Sequence, residues 1–172
     1  MAEMKKLRYR QLTPEGFAPY GAYANMLNPS TEKIGAEPIE FYRDMAQSWL
    51  GSSTIGSFGV CRVSERPLVI DVSEYHDTCS EAMIPLDGDV LVHVAPAVPQ
   101  ETFPFEKAEV FLVPQGTLFV MRPGVWHHGP FAFGSPVVNV LVTLPERLYM
   151  RDCKTYVFDE SERIQIDIEG TA

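Results

Sequence analysis

The chain has 172 residues and a mass of 19.3 kDa, which is long enough for one domain to bury a core without disulfides or a structural metal. Its 45% hydrophobic and 22% charged residues are typical of a globular protein and exclude collagen-like, low-complexity and disordered classes. The net charge of −9 opposes binding to nucleic acid or to an anionic membrane surface.

The sequence predicts neither a secretory signal nor a cysteine framework. The segment MAEMKKLRYRQL has basic residues but no apolar core or cleavage-site pattern after it, which favours a cytoplasmic location. No run approaches the roughly 18 apolar residues that span a bilayer. The cysteines are odd in number and have no Cys-x-x-Cys spacing, which predicts reduced thiols at Cys61, Cys79 and Cys153.

Residues 1–53 are predicted to form a short helix and an arm. Thr13-Pro14-Glu15 is typical of a helix start, with threonine as the N-cap and proline at the first helical position, and this helix would end before Gly21. Residues 27–51 are polar and irregular, and Glu40–Leu50 has a weak amphipathic pattern that indicates a minor second helix. A lid or a dimer arm would suit the length and polarity of this segment.

Residues 54–172 have the period of strands, because apolar and β-branched residues come in short runs that end at Pro, Gly, Ser or Asp. Asp87-Gly88 and Gln115-Gly116 each place a glycine where a tight hairpin needs a positive φ. The pattern predicts one all-β domain over residues 1–172, a barrel or sandwich. The predicted strands are Thr54–Val63, Pro67–Tyr75, Glu81–Leu86, Asp89–Ala95, Glu109–Val113, Thr117–Met121, Val137–Leu144, Lys154–Phe158 and Arg163–Ile168.

Carboxylates and imidazoles are predicted to meet on neighbouring strands. Glu74 and His76 are two residues apart on one strand, so both side chains project to the same face. A hairpin through the next four residues would return Glu81 beside His76, and a third strand ends close to His127 and His128. Mixed carboxylate and imidazole ligands suit divalent metals such as manganese, iron, nickel or zinc.

Each of these residues also has an interpretation without chemistry. Glu74 fits an exposed strand face, and Trp126 fits a core or rim aromatic. An extended backbone lets only one of His127 and His128 point inward, and we favour His127 as the ligand. His93 lies between two valines on a strand, which favours a buried histidine over a ligand.

The spacing of the same residues resembles the two cupin motifs. The first runs from His76 over four residues to Glu81 and over six more to Gly88, and the second includes Gly124 and His127. A narrower resemblance, over roughly residues 54–145, is to the ureidoglycolate lyases of purine and allantoin breakdown. It rests on the segments Ile70–His76, Ala82–Leu86, Gly88–Val90 and above all on the run Gly124-Val125-Trp126-His127-His128.

The resemblance implies a cupin-type β-barrel (jelly roll), homodimeric, that cleaves a small anionic metabolite, ureidoglycolate, to glyoxylate and urea. It implies a divalent metal, nickel, manganese or zinc, held by His76, Glu81 and His127 with Glu74 as an additional ligand. Glu74 or Glu81 would act as the base, with His127 as a further catalytic residue. Substrate contacts are expected from Arg62, with Arg122 as the second choice, and from Trp126 and His128.

Two positions differ from the family's common pattern. Glu81 stands where the family commonly has glutamine, and Asp87 stands where it commonly has lysine. Two other functions stay open, and these differences motivate the first of them. One is a metal-dependent cupin isomerase or lyase acting on another small hydroxy- or keto-acid, and the other is a non-catalytic cupin that binds a small ligand.

Overall fold

The computed structural model describes residues 4–99 and 101–169, and strands dominate its regular structure. It also has one short helix, α1 (Pro14–Phe17), and two 3-10 turns at Phe105–Lys107 and Leu148–Met150. The strands are β1 (Lys5–Gln11), β2 (Gly21–Asn25), β3 (Lys33–Ala36), β4 (Ile39–Tyr42), β5 (Gly56–Ser64), β6 (Val69–Ile70), β7 (Val72–Tyr75), β8 (Glu81–Pro85), β9 (Asp89–Val94), β10 (Glu109–Val113), β11 (Thr117–Met121), β12 (Phe131–Phe133), β13 (Val137–Pro145), β14 (Lys154–Val157) and β15 (Ile164–Asp167).

Two large sheets face each other across the main core. The first has the strand order β12-β9-β10-β1-β15-β6, and the second has the order β2-β11-β8-β13-β5. Side chains that alternate inward from both sheets meet between them, including Val92 and Phe111 from the first and Met121 and Val140 from the second. The molecule is therefore an all-β, cupin-type barrel, as the sequence predicts.

A second apolar cluster covers the outer face of the first sheet. Trp126, Tyr75, Phe103 and Phe158 are buried in it, and the ring centroids of Tyr75 and Trp126 are 4.4 Å apart. Strand β14 pairs antiparallel with β7 and brings the carboxyl-terminal part of the chain onto this face. This pairing also carries residues 152 and 153 to the edge of the site described below.

The barrel begins earlier in the chain than residue 54. Strand β1 runs parallel between β10 and β15, and β2 pairs with β11, so both are parts of the two sheets. The sequence pattern hides β1 because Lys6, Arg8 and Arg10 alternate on its exposed face, while Tyr9 is buried on the other. The assignment of residues 1–53 to a helix and arm outside the barrel is wrong in this respect. That residues 1–172 form one domain stays a prediction.

The predicted minor helix over Glu40–Leu50 is also wrong. Strands β3 and β4 pair antiparallel there as a hairpin, with a cross-strand contact between Lys33 and Glu40. Apolar residues at Ile39 and Phe41 alternate with polar ones, which is the period of a strand. Ile39 and Phe41 are both exposed.

Two local predictions are confirmed and one is wrong. The hydroxyl of Thr13 caps α1 by accepting a hydrogen bond from the Gly16 amide at 3.0 Å, and Gly116 has a φ of +73°. Gly88 does not have a positive φ; instead, a Cβ there would lie 2.9 Å from Val138 Cγ2, so close packing explains the glycine. Within the described residues, no helix has the length and hydropathy needed to cross a membrane.

Candidate active site

Two carboxylates and two imidazoles meet in the structure. Glu81 Oε2 lies 3.1 Å from His76 Nε2 and 2.6 Å from His127 Nε2. Glu74, His76 and His127 each have a ligand atom within 4.8 Å of the others. His76, Glu81 and His127 are buried, and Glu74 is half-buried. The structure thus brings together all four residues that the sequence proposes as metal ligands.

Backbone pairing sets the direction of these side chains. The Glu74 amide donates to the His127 carbonyl at 2.6 Å, and the His127 amide donates to the Glu74 carbonyl at 2.8 Å. Side chains of directly opposed residues project to the same face of an antiparallel pair. The Gly124 amide donates to the His76 carbonyl at 2.7 Å and joins the second segment to the first. Gly124 has a φ of +78°, which glycine adopts without strain.

Hydrogen bonds fix which nitrogen of each imidazole faces the site. His76 Nδ1 lies 2.5 Å from the Asp152 carbonyl oxygen, and His127 Nδ1 lies 2.8 Å from the Val125 carbonyl oxygen. A carbonyl oxygen only accepts, so each Nδ1 carries the proton and each Nε2 points at Glu81. Metal-binding histidines commonly use this arrangement. The donor set therefore fits a divalent metal, whose charge or an added proton would stabilise the contacts between the Nε2 atoms and Glu81.

The charge of Glu81 depends on its two imidazole neighbours. Burial raises the pKa of the Glu81 carboxyl, but the charges and hydrogen bonds of His127 and His76 outweigh burial and hold this pKa below its usual range. Burial lowers the pKa of His76, but the hydrogen bond that the protonated ring donates to Glu81, together with the charge of Glu81, outweighs burial and raises this pKa. The buried carboxylate is therefore ionised, and the site attracts a proton or a cation.

Asp152 supports the site from a distant part of the sequence. Its carboxylate accepts hydrogen bonds from the Asp77 amide at 3.0 Å, the Thr78 amide at 2.7 Å and the Thr78 hydroxyl at 2.5 Å. Asp77 and Thr78 form the turn between His76 and Glu81. The backbone carbonyl of Asp152 also accepts a hydrogen bond from His76 Nδ1, so this one residue holds both the turn and the imidazole in place. No local pattern identifies this role, because it depends on a contact across more than seventy residues.

Cys153 contacts the second carboxylate. Its thiol donates to Glu74 Oε2 at 3.0 Å. Burial and the neighbouring Glu74 raise the pKa of Cys153 to about 11, so the thiol keeps its proton at neutral pH. The cysteines are free thiols, as predicted, and Cys153 acts here as a hydrogen-bond donor.

The predicted substrate-binding arginines lie away from this cluster. Arg62 is exposed on β5, between Cys61 and Val63, which face the core, and its Nη1 donates to Asn139 Oδ1 at 3.2 Å. It therefore points to the outer face of the barrel. Arg122 is exposed and lies 3.5 Å from the Pro19 carbonyl oxygen. The structure supports neither arginine as a contact to a substrate at Glu81.

The two remaining predicted substrate contacts flank His127. Trp126 is buried in the outer apolar cluster, on the opposite side of the segment from His127, so it stabilises the fold and does not face the site. His128 is half-buried beside the cluster. Burial lowers the pKa of His128, the charge of Glu74 opposes this shift, and the charge of Arg66 adds to it.

His93 is a buried core histidine, as the sequence indicates. Its Nε2 lies 3.1 Å from the Ser73 hydroxyl, which in turn donates to the His127 carbonyl at 3.1 Å. The hydroxyl proton is committed to that carbonyl, so His93 Nε2 is the donor to Ser73. Burial lowers the pKa of His93 well below its usual range and keeps the ring neutral. His93 therefore helps to hold the His127 backbone and is not a ligand.

The chain is similar to one curated protein and to several solved structures. A ureidoglycolate lyase from Rhodobacter capsulatus is 28% identical to the chain over 137 residues, which cover 77% of this chain and 83% of that protein. Among solved structures, a dTDP sugar isomerase from Desulfovibrio desulfuricans is 18% identical, with a TM-score of 0.44, over 83% of this chain and 87% of that one. An oxalate decarboxylase from Lactobacillus farciminis is 13% identical, with a TM-score of 0.43, over 74% of this chain and 33% of that one.

The match to a family model extends over nearly the whole chain. The model of the family described as ureidoglycolate lyase matches residues 4–166, a range that includes all four clustered residues together with Asp152 and Cys153. The chain belongs to the ureidoglycolate lyase family.

Proposed function

We propose that the protein cleaves ureidoglycolate to glyoxylate and urea at the cluster formed by Glu74, His76, Glu81 and His127. The observation that carries this proposal is the position of Glu81 Oε2, within 3.1 Å of both imidazole Nε2 atoms. Family membership supplies the substrate, and the cluster supplies the acid, base and cation-binding groups that the reaction needs.

The reaction is the reversal of an addition to an aldehyde. Ureidoglycolate carries a hydroxyl and a urea nitrogen on the same carbon. The carbon–nitrogen bond breaks when the hydroxyl loses its proton, because the oxygen then forms the carbonyl of glyoxylate. The electron pair of the broken bond goes to nitrogen, which takes up a proton and leaves as urea. A single carboxylate can therefore catalyse both proton transfers: it accepts the proton of the hydroxyl and then returns it to the leaving nitrogen.

Glu74 is the residue suited to move this proton. It is half-buried, unlike the fully buried Glu81, and so is accessible to a substrate. One of its carboxylate oxygens accepts a hydrogen bond from the Cys153 thiol. The other oxygen is left to take the proton from the substrate hydroxyl. The protonated Glu74 then returns the proton to the departing nitrogen. The thiol of Cys153 orients the carboxylate without competing as a base, because its raised pKa keeps it protonated.

His76, Glu81 and His127 would hold a divalent metal, nickel, manganese or zinc, with Glu74 as an additional ligand in the resting site. When bound, such an ion polarises the substrate oxygen and stabilises the negative charge that develops on it. The paired Nδ1 hydrogen bonds to Asp152 and Val125 keep both Nε2 atoms directed at this position.

The test is to identify the products. Purified protein is incubated with racemic ureidoglycolate, and glyoxylate, urea and ammonia are quantified against a protein-free blank. The proposal predicts equal amounts of glyoxylate and urea without ammonia, and a loss of activity in H127N, which removes one imidazole from Glu81. Release of ammonia instead of urea would show that the amide bond is hydrolysed, and would overturn the proposal.

We also propose a homodimer in the cytoplasm. Exposed apolar side chains on the β3–β4 hairpin and on the edge strand β5 favour a second copy as a partner; they include Ile34, Ile39, Phe41, Phe58 and Val60. Three free thiols support a reducing compartment. Light scattering on the purified protein should give twice the chain mass of 19.3 kDa, and a mass equal to one chain would contradict the dimer.

A further inference from the structure

A cavity of about 250 Å³ opens on the inner faces of β5 and β13. Its lining includes Gly59, Cys61, Val142, Leu144, Arg147 and Tyr149. Strand β13 pairs with β8 so that Thr143 is opposite Ala82, which places Leu144 beside Glu81 on the neighbouring strand. The cavity therefore lies on the same inner face of the sheet as Glu81.

Arg147 places a positively charged side chain on the wall of this cavity. Its side chain is exposed and makes no hydrogen bond or ion pair with any residue in the described ranges 4–99 and 101–169. Its backbone has a φ of 56° and a ψ of 26°, the left-handed conformation that residues other than glycine adopt rarely. Unusual backbone conformations of this kind concentrate at functional sites.

Among the other arginines, Arg66 is already engaged, and Arg62 and Arg122 do not line this cavity. Arg66 donates to the Gly129 carbonyl at 3.0 Å and stacks on the Phe131 ring at 3.7 Å from its centroid. Arg62 and Arg122 point away from the cavity, as described above. Arg147 alone among these four combines an uncommitted guanidinium with a position on the cavity wall.

We propose that Arg147 binds the carboxylate of the substrate at the rim of this cavity and so determines specificity for 2-hydroxy acids. The inference rests on the proposed function, since it concerns the same site. A carboxylate ligand approaches Glu74 and Glu81 against their negative charge, and a cation on the cavity wall offsets that repulsion. The planar guanidinium suits a bidentate grip on a carboxylate, which would turn the hydroxyl-bearing carbon toward Glu74.

The experiment compares R147N, R147G and R147K with the wild type in steady-state kinetics and in calorimetric binding of glycolate. Asparagine and glycine both tolerate the left-handed backbone, so these two variants remove the charge without adding strain. The matched control is R163N, because Arg163 is also exposed and unpaired within the described residues but does not line the cavity.

Loss of a charged hydrogen-bonding group predicts a KM raised about 10- to 100-fold in R147N and R147G, with kcat within about threefold of the wild type. Glycolate affinity falls by a similar factor, R147K gives an intermediate value, and R163N matches the wild type. A KM and a glycolate affinity unchanged in R147N and R147G would overturn the proposal, as would a fall in kcat alone. If the wild type releases no glyoxylate but binds glycolate through Arg147, the proposed reaction fails and the carboxylate site stands.

Discussion

Replacement of Asp152 by alanine measures how far one buried carboxylate holds the site together. The side chain accepts three hydrogen bonds from Asp77 and Thr78, in the turn that joins His76 to Glu81. Each hydrogen bond to a charged acceptor contributes about 1 kcal/mol or more, so D152A should lower the free energy of unfolding by about 3 kcal/mol. D152N keeps one acceptor oxygen and should lose about half of that.

The pH dependence of D152A gives a second measure of the same contacts. Burial raises the pKa of Asp152, but hydrogen bonds from Thr78 and Asp77 outweigh it and the net pKa is lowered. A lowered carboxyl pKa stabilises the fold at pH values above the unfolded pKa of about 4, and this contribution is lost as the pH falls through the folded value. The difference in stability between the wild type and D152A should therefore shrink below about pH 4.

Urea denaturation at pH 7 and pH 3 tests both statements, with D159A, an exposed carboxylate, as the control. Kinetics and metal affinity test the position of the His76 imidazole separately from stability. In folded D152A the residue-152 carbonyl, which accepts a hydrogen bond from His76 Nδ1, is held less firmly because the side-chain contacts to the turn are lost. D152A should bind metal more weakly than D152N. A loss of less than about 1 kcal/mol in D152A, with metal affinity unchanged, would refute the reasoning.

Two further predictions concern the surroundings of the site. Cys153 should react slowly with iodoacetamide at pH 8, because a pKa of about 11 leaves the thiol almost entirely protonated. E74Q should speed this reaction, because it removes the negative charge next to the thiol. An unchanged or slower rate in E74Q would contradict the contact between Cys153 and Glu74. G51A should destabilise the fold by about 2 kcal/mol or more, since Gly51 has a φ of +63° and an added Cβ would lie 2.0 Å from the Thr78 carbonyl oxygen. G59A, where a Cβ meets nothing within 4 Å, is the control, and equal stabilities of the two variants in urea would argue against the clash.

Much of the barrel could be predicted because its central strands carry simple signals. Strands β10 and β11 have the predicted bounds, Glu109–Val113 and Thr117–Met121, since both are buried apolar runs bounded by turn residues. The sequence pattern did not predict strands β1 and β2, because they are short and carry basic or small residues on their exposed faces. Their pairing partners also lie about a hundred residues away in the chain. A period of two in a few residues around Ile39 was likewise too short to distinguish from a helical pattern.

The site was predictable where its residues are close in sequence and hidden where they are not. Glu74, His76 and Glu81 follow from strand alternation and one turn. Arg62 was misplaced because its neighbours Cys61 and Val63 face the core, a choice of face that depends on which sheet packs against β5. Asp152 and Arg147 have no local signature, since one acts through a contact with a distant turn and the other through its place on a cavity wall.

The central claim is that the cluster of Glu74, His76, Glu81 and His127 cleaves ureidoglycolate with the help of a divalent metal. The most direct test follows glyoxylate and urea release by protein treated with a chelator, then supplied with nickel, manganese or zinc. We predict equal release of both products, lost on chelation and restored by at least one metal. Release that chelation leaves unchanged would remove the metal from the account, and no glyoxylate from either enantiomer, with folded and metal-supplied protein, would contradict the claim itself.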